Sequence, residues 1–235
     1  MAAMLVILFA MGALAGCGAA GGNAPASANA PGAAGAVATG AAPAAAVATG
    51  TGPAANAPTV HAGDLWTDKL REGIHDFKVD SVKEDGSMAV DEWGNQIVTT
   101  SDWNILTWRS LTYGDTPPTN YQPALQLFPF PLTPGKHWSE TSQYHTPDMS
   151  VSGKNIVEGK VGDWGQVTVP AGTYRALRVD THDRVIGRGG AADEIDLTYW
   201  YVPEVNRWVK YSYRGTAEGS IDAEMVSYHP AAAAP

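Results

Sequence analysis

The run Ile195-Asp196-Leu197-Thr198-Tyr199-Trp200-Tyr201-Val202, the break Pro203-Glu204-Val205-Asn206, and the run Arg207-Trp208-Val209-Lys210-Tyr211-Ser212-Tyr213-Arg214 decide the fold class. Ile195, Leu197, Tyr199 and Tyr201 alternate with Asp196, Thr198, Trp200 and Val202. In the second run Arg207, Val209, Tyr211 and Tyr213 alternate with Trp208, Lys210, Ser212 and Arg214. A period of two places alternate side chains on opposite faces of a strand. Aromatic and β-branched residues favour such half-buried pleated surfaces. Upstream, Thr173, Arg175, Leu177 and Val179 oppose Tyr174, Ala176, Arg178 and Asp180 in the same way.

The same texture extends back to Asp64. No stretch sustains the i, i+3, i+4, i+7 apolar spacing of a surface helix over three turns. Short runs end instead at turn signals: Glu84-Asp85-Gly86-Ser87, Trp93-Gly94-Asn95, Val161-Gly162-Asp163 and Arg188-Gly189-Gly190. This predicts about ten strands, drawn from runs near 64–72, 74–84, 88–92, 96–100, 104–110, 137–145, 155–161, 164–169, 173–183, 195–202, 207–214 and 219–228. Short connections favour antiparallel neighbours. The expected fold is all-β: a single antiparallel, strongly curved sheet or open half-barrel, with a two-sheet sandwich as the alternative. The Pro-rich segment from Thr116 through Leu132 is expected to cross the sheet or close one end, because proline lacks the ladder donor.

Composition divides the chain into 1–16, apolar; 17–62, Ala/Gly/Pro-rich; 63–230, the β-rich domain; and 231–235, a short tail. All 15 basic and 24 acidic residues, all eight Trp and all nine Tyr lie from Asp64 onward. The net charge of −9 therefore belongs to the domain, which disfavours nucleic acid as a partner, since phosphate backbones are gripped by Lys and Arg. Residues 17–62 have too few large apolar side chains to offset ordering, and Pro and Gly break each helical run. They read as a disordered tether of roughly 35–40 Å r.m.s. span.

Cys17 is the only cysteine, which excludes an internal disulfide and a zinc–thiolate cluster. It ends the run Leu14-Ala15-Gly16-Cys17, after the apolar stretch Met4–Met11, which is too short to span a bilayer and has the length of a signal-peptide core. No Lys or Arg precedes that stretch, so the signal's basic region is minimal or the start lies upstream. This resembles the lipobox of bacterial lipoproteins. The resemblance implies a signal peptide over 1–16, acylation at Cys17 (palmitate included) and a stable membrane anchor. With Gly18 following Cys17, it implies the outer membrane, with the domain on the periplasmic face or at the surface.

A second resemblance rests on Gly63-Asp64-Leu65-Trp66-Thr67, on Phe128-Pro129-Phe130-Pro131-Leu132-Thr133-Pro134-Gly135-Lys136-His137-Trp138, on Val167 through Val179, and on Tyr199-Trp200-Tyr201-Val202-Pro203-Glu204-Val205 with Val209-Lys210. These are similar to TapB-like exported bacterial domains, a family without an established activity. The resemblance implies an antiparallel β-rich fold, related to open half-barrels that cradle lipid.

The chemistry-bearing residues form no catalytic motif. The six histidines lack metal-ligand spacing, so no metal and no cofactor are expected. Val169-Pro170-Ala171-Gly172-Thr173 reads as a strand–turn–strand, not a phosphate loop, because no helix follows. Aromatics are the richest signal. Phe128, Phe130, Trp138 and Trp200 are the candidate ligand-binding residues, on an apolar groove of the curved sheet; aromatic core packing is the competing reading of each. The expected function is a lipid-anchored envelope module that binds an apolar ligand, such as a lipid, or an envelope protein. The alternative is an envelope hydrolase acting on glycan or ester through His182-Asp183 or through the carboxylates Glu84-Asp85 and Asp91-Glu92.

Overall fold

The computed structural model describes residues 52–110, 117–147, 151–216 and 219–231. Twelve antiparallel strands form one sheet: β1 (Leu65–Leu70), β2 (Gly73–Val82), β3 (Met88–Glu92), β4 (Asn95–Thr99), β5 (Ile105–Ser110), β6 (Thr119–Leu125), β7 (His137–Thr146), β8 (Val151–Val169), β9 (Gly172–Gly187), β10 (Ala192–Val202), β11 (Arg207–Gly215) and β12 (Gly219–His229). Each strand pairs with its neighbours in sequence, and β1 pairs with β12, through Leu65 opposite His229 and Trp66 opposite Tyr228. The sheet is therefore a closed barrel.

Closure corrects the expected open half-barrel and the alternative sandwich. An open sheet leaves two edges of unpaired backbone groups; the meander removes both by joining its first and last strands. The all-β class stands, and the strands fall near the predicted runs with three informative differences. First, the runs near 155–161 and 164–169 are one strand. Val161-Gly162-Asp163 is a bulge, since Val161 faces Val179 and Trp164 faces Leu177, leaving Gly162 and Asp163 opposite one residue. Second, Thr119–Leu125 is a strand despite Pro123. On β5, Thr107 faces Asn120 and Ile105 faces Leu125, so the proline sits within an irregularity of the ladder. Third, a shift between Trp200 and Tyr201 sets Trp208 opposite Tyr201 while Tyr211 stays opposite Tyr199. The strict alternation read over 207–214 is thereby inverted at Val209, and Trp208 joins the tyrosines inside.

The wall's two faces differ sharply. Inward positions on β9 are Leu177, Val179, Thr181, Asp183 and Val185, all buried, whereas Arg178 and Arg184 point outward. Exposed Asp76, Lys78, Asp80, Glu158 and Lys160 extend the charged exterior. Charges on a lipid-facing barrel wall cost about 2–4 kcal/mol each at mid-membrane, so this exterior is built for water. None of the described helices is long and apolar enough to cross a membrane.

A ring of twelve strands encloses a wide lumen, because barrel diameter grows with strand number. Large side chains fill it: Trp66, Phe77, Trp103, Tyr121, Phe128, Tyr144, Tyr199, Tyr201, Trp208, Tyr211 and Tyr213 are all buried. Residues 53–62, tether by composition, lie against one end. Ala55 exchanges two backbone hydrogen bonds with Leu132 (2.9 and 2.8 Å), and the Trp164 indole donates to the Pro53 carbonyl at 2.8 Å. Buried Asp64 accepts from the His61 and Ala231 amides, at 2.8 and 2.7 Å, and so joins the chain leading into β1 to the chain leaving β12.

Candidate functional site

The four residues nominated for a ligand groove do not converge on one surface. Phe128 is fully buried, stacked on Trp208 with centroids 5.5 Å apart and edge-on to Tyr199 at 4.8 Å. Phe130 is half-buried and meets Tyr201 at 5.1 Å. Phe128-Pro129-Phe130-Pro131-Leu132 thus closes one end of the barrel from within. The buried Asn104 side chain holds it, accepting from the Leu127 and Phe128 amides, both at 2.9 Å. The Lys136 ammonium caps the Pro129 and Pro131 carbonyls, and partial burial lowers its pKa.

Trp138 lies on the inner face of β7, and its ring occupies the space a side chain at Gly159 would need: an added Cβ there would come within 2.0 Å of the indole. Its Nε1 donates to the Gln126 carbonyl at 3.3 Å. Trp200 is on the outer face, with Arg178 6.0 Å and the Lys210 ammonium 5.7 Å from its ring. The candidate lipid site Cys17 lies outside the described residues.

A buried charge cluster beside the plug escaped the sequence reading. Arg207, fully buried, makes a two-pronged ion pair with Asp68, at 3.2 and 2.8 Å. Trp93 donates from Nε1 to the same carboxylate at 3.0 Å. The guanidinium lies 3.8 Å from the Phe77 centroid and 4.7 Å from Trp208, so aromatic faces replace much of its lost hydration. Trp93 reaches inward from a tight hairpin turn in which both it and Gly94 have positive φ, 53° and 84°. The available signal was Arg207 itself, a charge in one alternate row with Val209, Tyr211 and Tyr213.

Two further carboxyls are buried. Glu92, inside β3, has its pKa pushed up to about 7 by burial; Arg207 opposes the rise, and Asp68 and Asp91 add to it. Asp183, inside β9, is also raised to about 7 by burial, against the nearby Thr181 hydroxyl and His182. Burial likewise holds Tyr199 and Tyr211 far above the ordinary phenol value. A small pocket of about 40 Å³ lies between the β3–β4 wall and the β10–β11 wall. Glu92, Thr99, Trp103, Tyr199, Trp208 and Tyr211 are among its lining residues.

The larger concavity is outside. A shallow depression of about 420 Å³ crosses β7 to β10. Strand register builds it from two rows: His137, Lys160 and Asp180, continued by Thr198; and Ser139, Glu158, His182 and Asp196. The charges are interleaved. His182 contacts Asp196 at 2.8 Å through Nδ1 and Glu194 at 3.4 Å through Nε2. The hydrogen bond to Asp196 raises the His182 pKa most, with further help from the surrounding carboxylates.

This arrangement separates the residues of the hydrolase alternative. His182 and Asp183 are consecutive in a strand, so one faces water and the other the core, and they cannot act on one substrate atom. Asp91 and Glu92 part in the same way. Asp85 accepts from the Ser87 amide and hydroxyl and orders its own turn. Among the described residues no group of three His, Cys, Asp or Glu is placed to hold a metal ion.

No family model and no curated protein matches the sequence. Three solved structures resemble the barrel. A candidate lipoprotein of Parabacteroides distasonis aligns at 10% identity and TM-score 0.45, over 76% of this chain and 100% of that one. The hypothetical lipoprotein YmcC of Escherichia coli aligns at 8% identity and TM-score 0.47, over 72% and 86%. A candidate exported protein with a YmcC-like fold from Bacteroides fragilis aligns at 12% identity and TM-score 0.43, over 74% and 99%. These are lipoprotein-like or exported neighbours, and at such scores the likeness carries no argument about activity.

Proposed function

We propose that the protein is a lipid-anchored module of the bacterial envelope, held through Cys17 at the outer membrane, whose barrel docks an envelope protein on its outer wall over β7–β10. The observation that carries the reading is the filled lumen. Phe128 and Phe130, the residues best suited to line an apolar groove, pack against Trp208, Tyr199 and Tyr201. A lipid chain carried inside needs a pocket of several hundred Å³, and the pocket bordered by Tyr199 and Trp208 is about 40 Å³. The concavity that faces solvent is rimmed by side chains of both charges, among them Glu158, Lys160, Asp180, His182 and Asp196, which suits a protein surface of complementary pattern. The lipobox resemblance at Cys17 supports the anchor.

A photo-crosslinker at Ser139, in the depression, tests the docking face against the same group at Asp80 on another part of the wall. Intact envelopes are expected to give one discrete adduct from Ser139, lost in Glu158→Lys, and none from Asp80. Equal adducts from both positions contradict a dedicated face. Fractionation of Cys17→Ser tests the anchor: the variant is expected to leave the outer-membrane fraction, and unchanged partition contradicts lipidation there.

A further inference from the structure

The pocket between the β3–β4 and β10–β11 walls has a lining that its apolar neighbours do not explain. Thr99 Oγ1, Trp208 Nε1 and the Tyr211 hydroxyl are buried and have no hydrogen-bond partner in the protein. All three residues border the pocket, as does Glu92. Burying such groups unpaired carries their full desolvation penalty, so a fold that gathers them along one space has something there for them to bind.

Register separates the two ends of the pocket. Glu92 pairs with Asn95, and Thr99 pairs with Met88, four residues away along β3. That spacing is about 13 Å at the rise of a strand. No single ion reaches both. Their hydrogen-bonding characters also differ. Trp208 only donates, an ionised Glu92 only accepts, and the two hydroxyls do either. A guest that meets both an ionised Glu92 and the Trp208 indole must therefore donate at one point and accept at another, which neither a simple cation nor a halide does. Water does both. A pocket of about 40 Å³ has room for about three waters, at one probe sphere each. Three waters make four hydrogen-bonded steps, which matches the gap once the Glu92 side chain's own reach is counted.

We propose that this pocket is a built site for a short file of ordered water molecules running from Glu92 past Tyr211 and Trp208 to Thr99. The file suits Glu92 in either protonation state, because the adjoining water accepts from the carboxyl and donates to the carboxylate. It gives a titratable group in the core a relay of polar partners without opening the barrel.

Water-selective NMR on the full-length Cys17→Ser chain tests this at the Trp208 indole proton, assigned by Trp208→Phe. A dipolar cross-peak to water with the sign of a residence time beyond nanoseconds is expected. It should persist in Tyr211→Phe, and in Thr99→Val should the first variant not fold. It should not move when chloride is exchanged for gluconate. A missing water cross-peak overturns the proposal, as does one lost with the hydroxyl in a folded variant, which marks hydroxyl exchange instead of water. A chloride-dependent indole shift overturns it in favour of an anion site.

Discussion

The plug end of the lumen and the half lined by β6 to β9 are filled on different principles. At the plug, Trp66, Phe77, Trp103, Phe128 and Trp208 interlock edge-to-face or stacked, with centroids 5.5–6.0 Å apart. The buried cation among them, Arg207, is matched by Asp68. In the other half the inward positions include Thr119, Ser142, Thr146, Asn155, Thr181 and Asp183, with the Thr119 and Thr146 hydroxyls 2.7 Å apart. The plug end rests on apolar contact and a paired charge, the other half on hydroxyls and amides. Each also holds one buried carboxyl with a raised pKa, Glu92 near the Arg207–Asp68 pair and Asp183 among the polar side chains, so both contribute to pH dependence.

The largest expected effect of a single substitution is at the plug end. Arg207→Ala strands Asp68 in the core and should cost about 3–5 kcal/mol in urea unfolding. The double change Asp68→Leu with Arg207→Met removes both charges at similar volume and should recover most of that loss. If the single change costs under 1 kcal/mol, the pair is not what organises this end.

Next comes pH. The raised pKa values of Glu92 and Asp183 mean that the folded chain binds more protons than the unfolded chain between the ordinary carboxylate range and about 7. Their contribution is therefore complete in acid and is lost as pH rises through about 7. The loss is on the order of 3 kcal/mol for each group. Half-exposed His182, also raised, acts in the same direction and weakly. Unfolding free energy should be greater at pH 5 than at pH 8, and Glu92→Gln with Asp183→Asn should flatten the dependence. A flat profile in the unmodified chain contradicts the burial of these two carboxyls.

Removing residues 52–62 should cost a smaller amount, about 1–2 kcal/mol. The Ala55–Leu132 backbone pair and the Trp164 bond to Pro53 are each worth about 1 kcal/mol, and they sit over the plug. Calorimetry on the shortened chain measures it, and no change means that the segment only rests there. Trp200→Ala on the outer wall should cost least, about 0.5–1 kcal/mol, the scale of exposed cation–π contacts with Arg178 and Lys210. A loss of several kcal/mol there contradicts its position outside.

Strand texture was legible because period two is a local property: Ile195 through Val202 announces its two faces unaided. What stayed hidden was non-local or lay within single irregularities. The pairing of Leu65 with His229 that closes the barrel joins the domain's two ends, and nothing within either run declares it. The shift before Tyr201 turns Trp208 inward, although simple alternation groups it with Lys210, Ser212 and Arg214. The aromatic surplus was noticed, but its cause is geometric. A twelve-strand ring has more interior than aliphatic side chains fill, so of the residues nominated for a ligand groove Phe128, Phe130 and Trp138 belong to the lumen's own packing. At the candidate site, Phe128 and Phe130 do meet at one end of the barrel. Trp138 and Trp200 belong to opposite faces, as their even spacing on different strands could not reveal.

The central claim, a barrel filled by its own side chains, is tested most directly by titrating the full-length Cys17→Ser chain with a fluorescent fatty acid and following energy transfer from tryptophan. No saturable binding is expected. Saturable uptake at one acyl chain per barrel, abolished by enlarging the lining with Val90→Phe, would contradict the account and restore a lipid carrier.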